Sequence, residues 1–158
     1  MARHIVTRTR IRVTLYVVRS HAESSQSREK RMKINSSAVS LNVDDVNASS
    51  AFLTDHFGFR EQVAADGFAS LSRPDSGMNV IFLRRGLATL PADQGDDHAQ
   101  GLILAFDVDD LEGELTRLEA EGVAITMPLV EEEWGERAFQ VRDPNGIIVQ
   151  LVDWQASA

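Results

Sequence analysis

The chain has 158 residues, of which 43% are hydrophobic and 25% are charged, and its formal net charge is −8 at pH 7. These values are typical of one globular domain and exclude a largely disordered chain, and no apolar run approaches the ~20 residues of a membrane span. Because the chain contains no cysteine, disulfides, thiolate metal sites and cysteine nucleophiles are also excluded.

The first 31 residues differ from the rest in charge. They carry eight lysine or arginine side chains against two glutamates, so the remainder of the chain is strongly acidic. The segment SHAESSQSREKR, residues 20–31, is polar, rich in serine and without periodicity, which predicts a disordered basic leader. Met32 is a candidate translation start, in which case residues 1–31 are an upstream extension. Residues 32–158 are predicted to form the single domain.

The acidity of this domain bears on its partners. An acidic surface repels phosphate backbones, so we expect no nucleic-acid partner, and the absence of an apolar span predicts no membrane partner. We expect a cytoplasmic protein. A cationic small molecule is electrostatically compatible, although acidity can also serve solubility alone.

Residues 36–84 show the pattern βαβββ. The stretch SAVSLNV alternates apolar and polar residues, which predicts a strand with one buried side. Asp44 or Asp45 can cap the helix that follows, and Gly58 ends it. Further strands are predicted near 60–65, 68–73 and 78–84. The helix has an inward stripe made of Val46, Ser49, Phe52, Leu53 and Phe57.

Residues 101–153 repeat this order. GLILAFDV predicts a strand, Asp109 or Asp110 can cap the next helix, and LEGELTRLEAEG predicts the helix itself, ending at Gly122. Three extended segments are predicted after it, near 123–127, 136–142 and 146–153.

The two segments are divergent copies of one unit. LNVDDV at 41–46 matches FDVDDL at 106–111, and RPDSGMNVIFL matches RDPNGIIVQL, which aligns Gly77 with Gly146. The predicted fold is α+β, with tandem βαβββ units forming a curved eight-stranded mixed sheet, or cup, and helices on the outside. The strand faces that the helices do not cover are called the cup faces below.

The tandem units, the VDDL helix start and the stretch EEWGERAFQVRDPNGIIVQL resemble the vicinal oxygen chelate superfamily over residues 34–154. This superfamily includes glyoxalase I, extradiol dioxygenases, epimerases, fosfomycin-inactivating thiol transferases and bleomycin-binding resistance proteins. The resemblance implies the cup-shaped fold and a homodimer with shared cups.

The resemblance also implies positions for metal ligands, one from the first and one from the last strand of each copy. Counting from the capping aspartates gives Ala38 and Ile103, and counting from the turn glycines gives Ile81 and Gln150. Three of these residues have no lone pair to donate, and one neutral amide cannot hold a catalytic divalent ion. We therefore expect no metal, no cofactor and no catalytic residue.

Other polar groups give no clear site. The acidic stretches GDDH and EEEW are predicted to be solvated because neither has the oxygen spacing of a calcium loop. Each histidine is predicted to be solvated or locally hydrogen-bonded, and these are His4 and His21 in the leader, His56 on the first helix and His98 in the DQGDDH loop.

The favoured function is metal-independent binding of a small organic ligand, including an antibiotic, in the character of the bleomycin-resistance branch. The resemblance places Trp134 on the loop before the seventh strand, at the rim of the cup, where we expect it either to stack on a ligand or to pack at a dimer or sheet edge. The alternatives are a metal-dependent lyase, isomerase or dioxygenase of the same superfamily, and a structural dimer whose cup is filled by side chains. The predicted ligand-binding residues are Ala38, Ser40, Asn42, Asn79, Ile81, Ile103, Asp107, Trp134, Gln140 and Gln150.

Overall fold

A computed structural model describes residues 32–154 of the chain. The predictions made for residues 1–31, a disordered leader or an upstream extension, concern a segment outside these residues. Residues 35–154 belong to one compact unit.

The first copy contains a helix and a four-stranded sheet in the predicted order. The sheet order is β1–β4–β3–β2, with β1 parallel to β4 and the other neighbours antiparallel. The elements are β1 (Ala38–Val43), α1 (Val46–Phe57), β2 (Arg60–Ala65), β3 (Phe68–Ser72) and β4 (Asn79–Arg84).

The second copy has the same topology, with sheet order β5–β8–β7–β6. Its elements are β5 (Ile103–Asp107), α2 (Leu111–Ala120), β6 (Ile125–Glu131), β7 (Glu136–Arg142) and β8 (Ile148–Trp154). The α+β fold of two βαβββ units is therefore confirmed. The eight strands fall into two four-stranded sheets, and within residues 32–154 no hydrogen-bonded ladder joins them.

Aspartate side chains start both helices. Of the two candidates in each copy, the second is the cap: Asp45 accepts a hydrogen bond from the backbone N–H of Ala48, and Asp110 from that of Gly113. Gly58 ends α1 with φ of 65°, a left-handed conformation that glycine adopts without steric cost.

The start of β6 differs from the prediction, which placed this strand near 123–127. Residues 121–123 still complete the helix end, because the N–H of Val123 donates to the carbonyl of Leu118 and Gly122 has φ of 79°. The strand then runs past Pro128 to Glu131, with irregular pairing between Met127 and Val130 where proline has no N–H to donate.

Both helix-covered faces contribute to one hydrophobic core. Val46, Leu53 and Phe57 of the predicted α1 stripe are buried, as is Ser49, while Phe52 is half-buried. The ring of Phe106 on β5 lies 6.2 Å from that of Phe57, which joins the core of the second sheet to the helix of the first. Each cup face lies on the far side of its sheet from this core.

Candidate functional site

The strand registers show where the predicted site residues lie. Ala38 pairs with Asn79 and Ser40 with Ile81, while Gln140 pairs with Gln150. Since side chains alternate along a strand, nine of the ten predicted residues share the two cup faces. On the first sheet these are Ala38, Ser40, Asn42, Asn79 and Ile81, and on the second they are Ile103, Asp107, Gln140 and Gln150. Trp134, the tenth, lies in the turn between β6 and β7.

The cup face of the first sheet borders a cavity of about 480 Å³. Ser40, Asn42 and Leu83 form its floor, and the connection between β4 and β5 forms its wall. The side-chain amide of Asn42 donates to the carbonyl of Gln94 at 3.0 Å, so one floor residue is tied to the wall. The cavity is thus a defined space bounded by strand and loop.

The connection is held in place by Arg85. Its Nε donates to the carbonyl of Asp96 at 2.8 Å, and its guanidinium also pairs with Asp44 at 2.9 Å. The N–H of Ala99 donates to the carbonyl of Asn42 at 2.8 Å, which extends the pairing along the free edge of β1. These bonds position the cavity wall over the sheet.

His98 is a residue of this wall that sequence reasoning did not place at a site. Its Nδ1 lies 2.9 Å from the carbonyl oxygen of Ala99, in agreement with the predicted local hydrogen bond. Because a carbonyl can only accept, Nδ1 must carry the proton, which leaves Nε2 as an acceptor in the neutral ring. Nothing in the local sequence indicates the cavity, because it depends on where the connection folds.

The cup face of the second sheet carries a chain of polar groups. Gln140 Nε2 donates to Gln150 Oε1 at 2.8 Å, and Gln150 Nε2 donates to Glu136 Oε1 at 3.3 Å. Trp134 Nε1 donates to the other carboxylate oxygen of Glu136 at 3.1 Å. Trp134 is therefore connected to the predicted residues Gln140 and Gln150 through Glu136, which the sequence reasoning missed. The alternation of β7 could have indicated it, since Glu136 and Gln140 share a face.

The residues at the implied metal positions do not fit a metal ion. Ala38 and Ile81 lie on neighbouring strands of the first sheet, and Ile103 and Gln150 on neighbouring strands of the second. Alanine and isoleucine offer no donor atom at three of these positions. Within residues 32–154, no group of three or more histidine, aspartate or glutamate side chains could hold an ion.

The acidic stretches that were predicted to be solvated are exposed at Asp96, Asp97 and residues 131–133, and Asp97 also lines the cavity of about 480 Å³. His56 contacts Glu121, the C-cap residue of α2, at 2.7 Å. Its hydrogen bond, followed by that from Arg117, lowers the pKa of Glu121 below its ordinary value. This contact joins the two helices and is not part of a cup face.

This geometry defines a class of fold, tandem βαβββ units with an uncovered face on each sheet. A comparison with known families identifies the class: the Glyoxalase/Bleomycin resistance protein/Dioxygenase superfamily matches residues 34–151. The chain belongs to this superfamily. No curated protein matches the sequence.

Solved structures support the fold. A glyoxalase/bleomycin resistance protein/dioxygenase from Nocardioides is 20% identical with a TM-score of 0.66, covering 84% of this chain and 91% of its own. Lactoylglutathione lyase from Agrobacterium tumefaciens is 19% identical with a TM-score of 0.61, and the match covers 78% of this chain and 95% of the lyase chain. TioX from Micromonospora sp. ML1 is 26% identical with a TM-score of 0.62, and the match covers 77% of this chain and 99% of the TioX chain.

Among residues 32–154, neither helix has the length and apolar character that a membrane crossing requires.

Proposed function

We propose that this protein is a metal-independent binding protein for a small organic ligand, held against the cup faces without chemical change. The observation that carries the proposal is the cavity of about 480 Å³ on the cup face of the first sheet. Its size lies within the range of small-molecule sites, and it combines leucine side chains with a few amide and hydroxyl groups. The proposed ligand contacts include the ten residues predicted from the sequence.

The chemistry of the implied metal positions supports binding rather than metal-dependent catalysis. Ala38, Ile81 and Ile103 cannot ligate an ion whichever partner surface lies opposite them. Ala38 and Ile103 are exposed, with Ile103 at 49%, so neither fills a cup within the single chain. Catalysis is left without an assigned residue, and no cofactor is required.

We further propose that two copies of the chain complete the cup. Each cup face lies opposite the shared core, so a surface from outside the chain is needed to enclose a ligand between two sheets. A homodimer supplies such a surface and covers the free strand edges.

Thermal-shift screening of the purified protein tests the binding function. The library combines divalent metals with organic compounds of different charge, antibiotics among them, and native mass spectrometry checks each hit for a bound complex. We expect stabilisation by an organic compound and none by a metal. Stoichiometric metal that EDTA removes with loss of stability would contradict the proposal.

A pair of variants places a hit in the cavity. Ser40→Phe introduces a ring into the cavity floor. It is expected to weaken binding by about tenfold or more, since the cavity cannot hold both the new ring and the ligand. Ala51→Phe adds the same ring on the exposed side of α1 and serves as the matched control. Equal affinities in calorimetry would remove the cavity from the site.

A further inference from the structure

Both tryptophans of the chain lie at the same end of the second sheet. Trp154 is the last residue of β8 and is 55% exposed, and Trp134, in the β6–β7 turn, is 62% exposed. Glu136 is the cross-strand partner of Trp154. Directly opposed residues project from the same face with Cβ atoms about 5 Å apart. The indole of Trp134 reaches the same carboxylate, 3.1 Å from Nε1 to Oε2.

The carboxylate of Glu136 is oriented from two sides. Trp134 donates a hydrogen bond to one carboxylate oxygen and Gln150 donates to the other. Gln140 in turn donates to the side-chain oxygen of Gln150. A carboxylate can accept about four hydrogen bonds, so these two donors leave acceptor positions available. Within residues 32–154, no lysine, arginine or histidine nitrogen forms an ion pair with Glu136. Its charge is therefore not neutralised by the cationic side chains of this part of the chain.

The two indoles and the carboxylate form what we call the tryptophan cluster: Trp134, Glu136 and Trp154. Exposed indole faces attract cations through the ring quadrupole, and a fixed carboxylate adds direct charge attraction. A flat aromatic cation has both a ring that can stack on an indole and a positive charge that can pair with the carboxylate of Glu136. The net charge of −8 of the chain also attracts positively charged ligands.

We propose that the tryptophan cluster recognises the charged end of a flat organic cation on the cup face of the second sheet. This inference rests on the proposed binding function and names the ligand class. Gln150 and Gln140 continue from the cluster along the cup face, where their amides can bind polar groups on the rest of the ligand.

Intrinsic fluorescence provides a direct test because Trp134 and Trp154 are the two tryptophans of the chain. The probe is N-methylquinolinium, and quinoline at pH 8 is its neutral counterpart of nearly equal shape. Quenching and calorimetry are expected to show binding of the cation at least about tenfold tighter than that of quinoline, the difference expected for one good charge contact. Equal affinities for the two probes would overturn the inference.

Matched variants separate the contribution of Glu136 from general acidity. Glu136→Gln removes the charge with little change in shape and is expected to abolish the preference for the cation. Glu133→Gln makes the same change on an exposed residue of the same turn and is expected to alter affinity less than about twofold, because solvent screens its charge. Equal effects of the two substitutions would show that overall charge, rather than the cluster, attracts the probe.

Substituting the indoles tests stacking. Trp134→Ala and Trp154→Ala are each expected to weaken binding of N-methylquinolinium about ten- to thirtyfold, with circular dichroism confirming the fold. No loss in either variant would contradict the inference.

Two further results would overturn the inference while leaving other conclusions intact. If neither probe binds but the screen yields another ligand on the cup faces, the binding function stands without this ligand class. If the fluorescence changes on protein dilution and neither probe quenches it, a second copy of the chain covers the cluster. A screen that yields no ligand at all would remove the binding function as well.

Discussion

The turns before the last strand of each copy occupy equivalent positions but make different contacts. In the second copy, Asp143 is 5% exposed and accepts hydrogen bonds from Ser49 of α1 and from the backbone of Asn145 and Ile147. Asn145 also bonds the backbone of Asp45, donating at 2.7 Å and accepting at 3.0 Å. The start of α1 is therefore bound to the turn of the other copy.

The turn of the first copy has no such arrangement. Aligning the turn glycines puts Pro74 at the position of Asp143, and Asp75 pairs with its neighbour Arg73 at 2.6 Å. Between this turn and the end of β5 lies an open cavity of about 310 Å³. Duplication thus preserved the backbone frame, which depends on alternation and caps, while contacts between the copies depend on individual residues that have diverged.

The cup faces show the same divergence. The cup face of the first sheet is bordered by the β4–β5 connection, which a hydrogen bond from Arg85 holds in position. The cup face of the second sheet carries the two exposed tryptophans. One sheet therefore offers a bounded cavity and the other an aromatic and charged surface. We expect the two faces to contribute differently to binding.

Removing Asp143 should produce the largest loss of stability. Asp143→Ala leaves the hydroxyl of Ser49 and the N–H of Ile147 buried without their acceptor, which is expected to lower the free energy of unfolding by about 2–3 kcal/mol. Urea denaturation measures this change. The control is Asp75→Ala in the equivalent exposed turn, for which we expect little change. Equal losses would show that the two turns contribute alike.

The cup face of the second sheet should also be needed for assembly. We expect a homodimer in sedimentation velocity at micromolar concentration, and Ile103→Glu should raise its dissociation constant by about tenfold or more by burying a charge. Thr116→Glu, on an exposed position of α2, is the control. A wild-type monomer at this concentration would contradict the proposed dimer.

Acid should lower the folding stability of both copies, by less than the substitutions described above. A hydrogen bond from Arg84 lowers the pKa of Asp66 in the first copy, and one from His56 lowers that of Glu121 in the second. Lowered carboxyl pKa values stabilise the folded state above the ordinary value of about 4, and this stabilisation is lost as the pH falls through the folded-state values. Because both groups are exposed, the loss in melting temperature between pH 7 and 3 should shrink in high salt.

Deletion of residues 1–31 is expected to have the smallest effect. Residues 20–31, which join this segment to the domain, are polar and without periodicity, so removal of residues 1–31 should leave the melting temperature of the domain unchanged. A substantial fall in calorimetry would show that the leader packs on the domain.

The sequence by itself determined the fold class and the membership of the cup faces. Alternation along β1 placed Ala38, Ser40 and Asn42 on one side whatever lies opposite, because side-chain direction alternates with the backbone. The capping aspartates and turn glycines likewise carry their conformational preferences locally. The duplicated pattern then required each element to appear twice.

Only the tertiary structure decided which distant groups meet. The register of β7 on β8 brought Glu136 beside Trp154, and the path of the β4–β5 connection brought His98 to the cavity. Asp143 met Ser49 across 94 positions of chain. Such contacts depend on how whole elements pack, and packing is set by the summed fit of many side chains rather than by any local pattern.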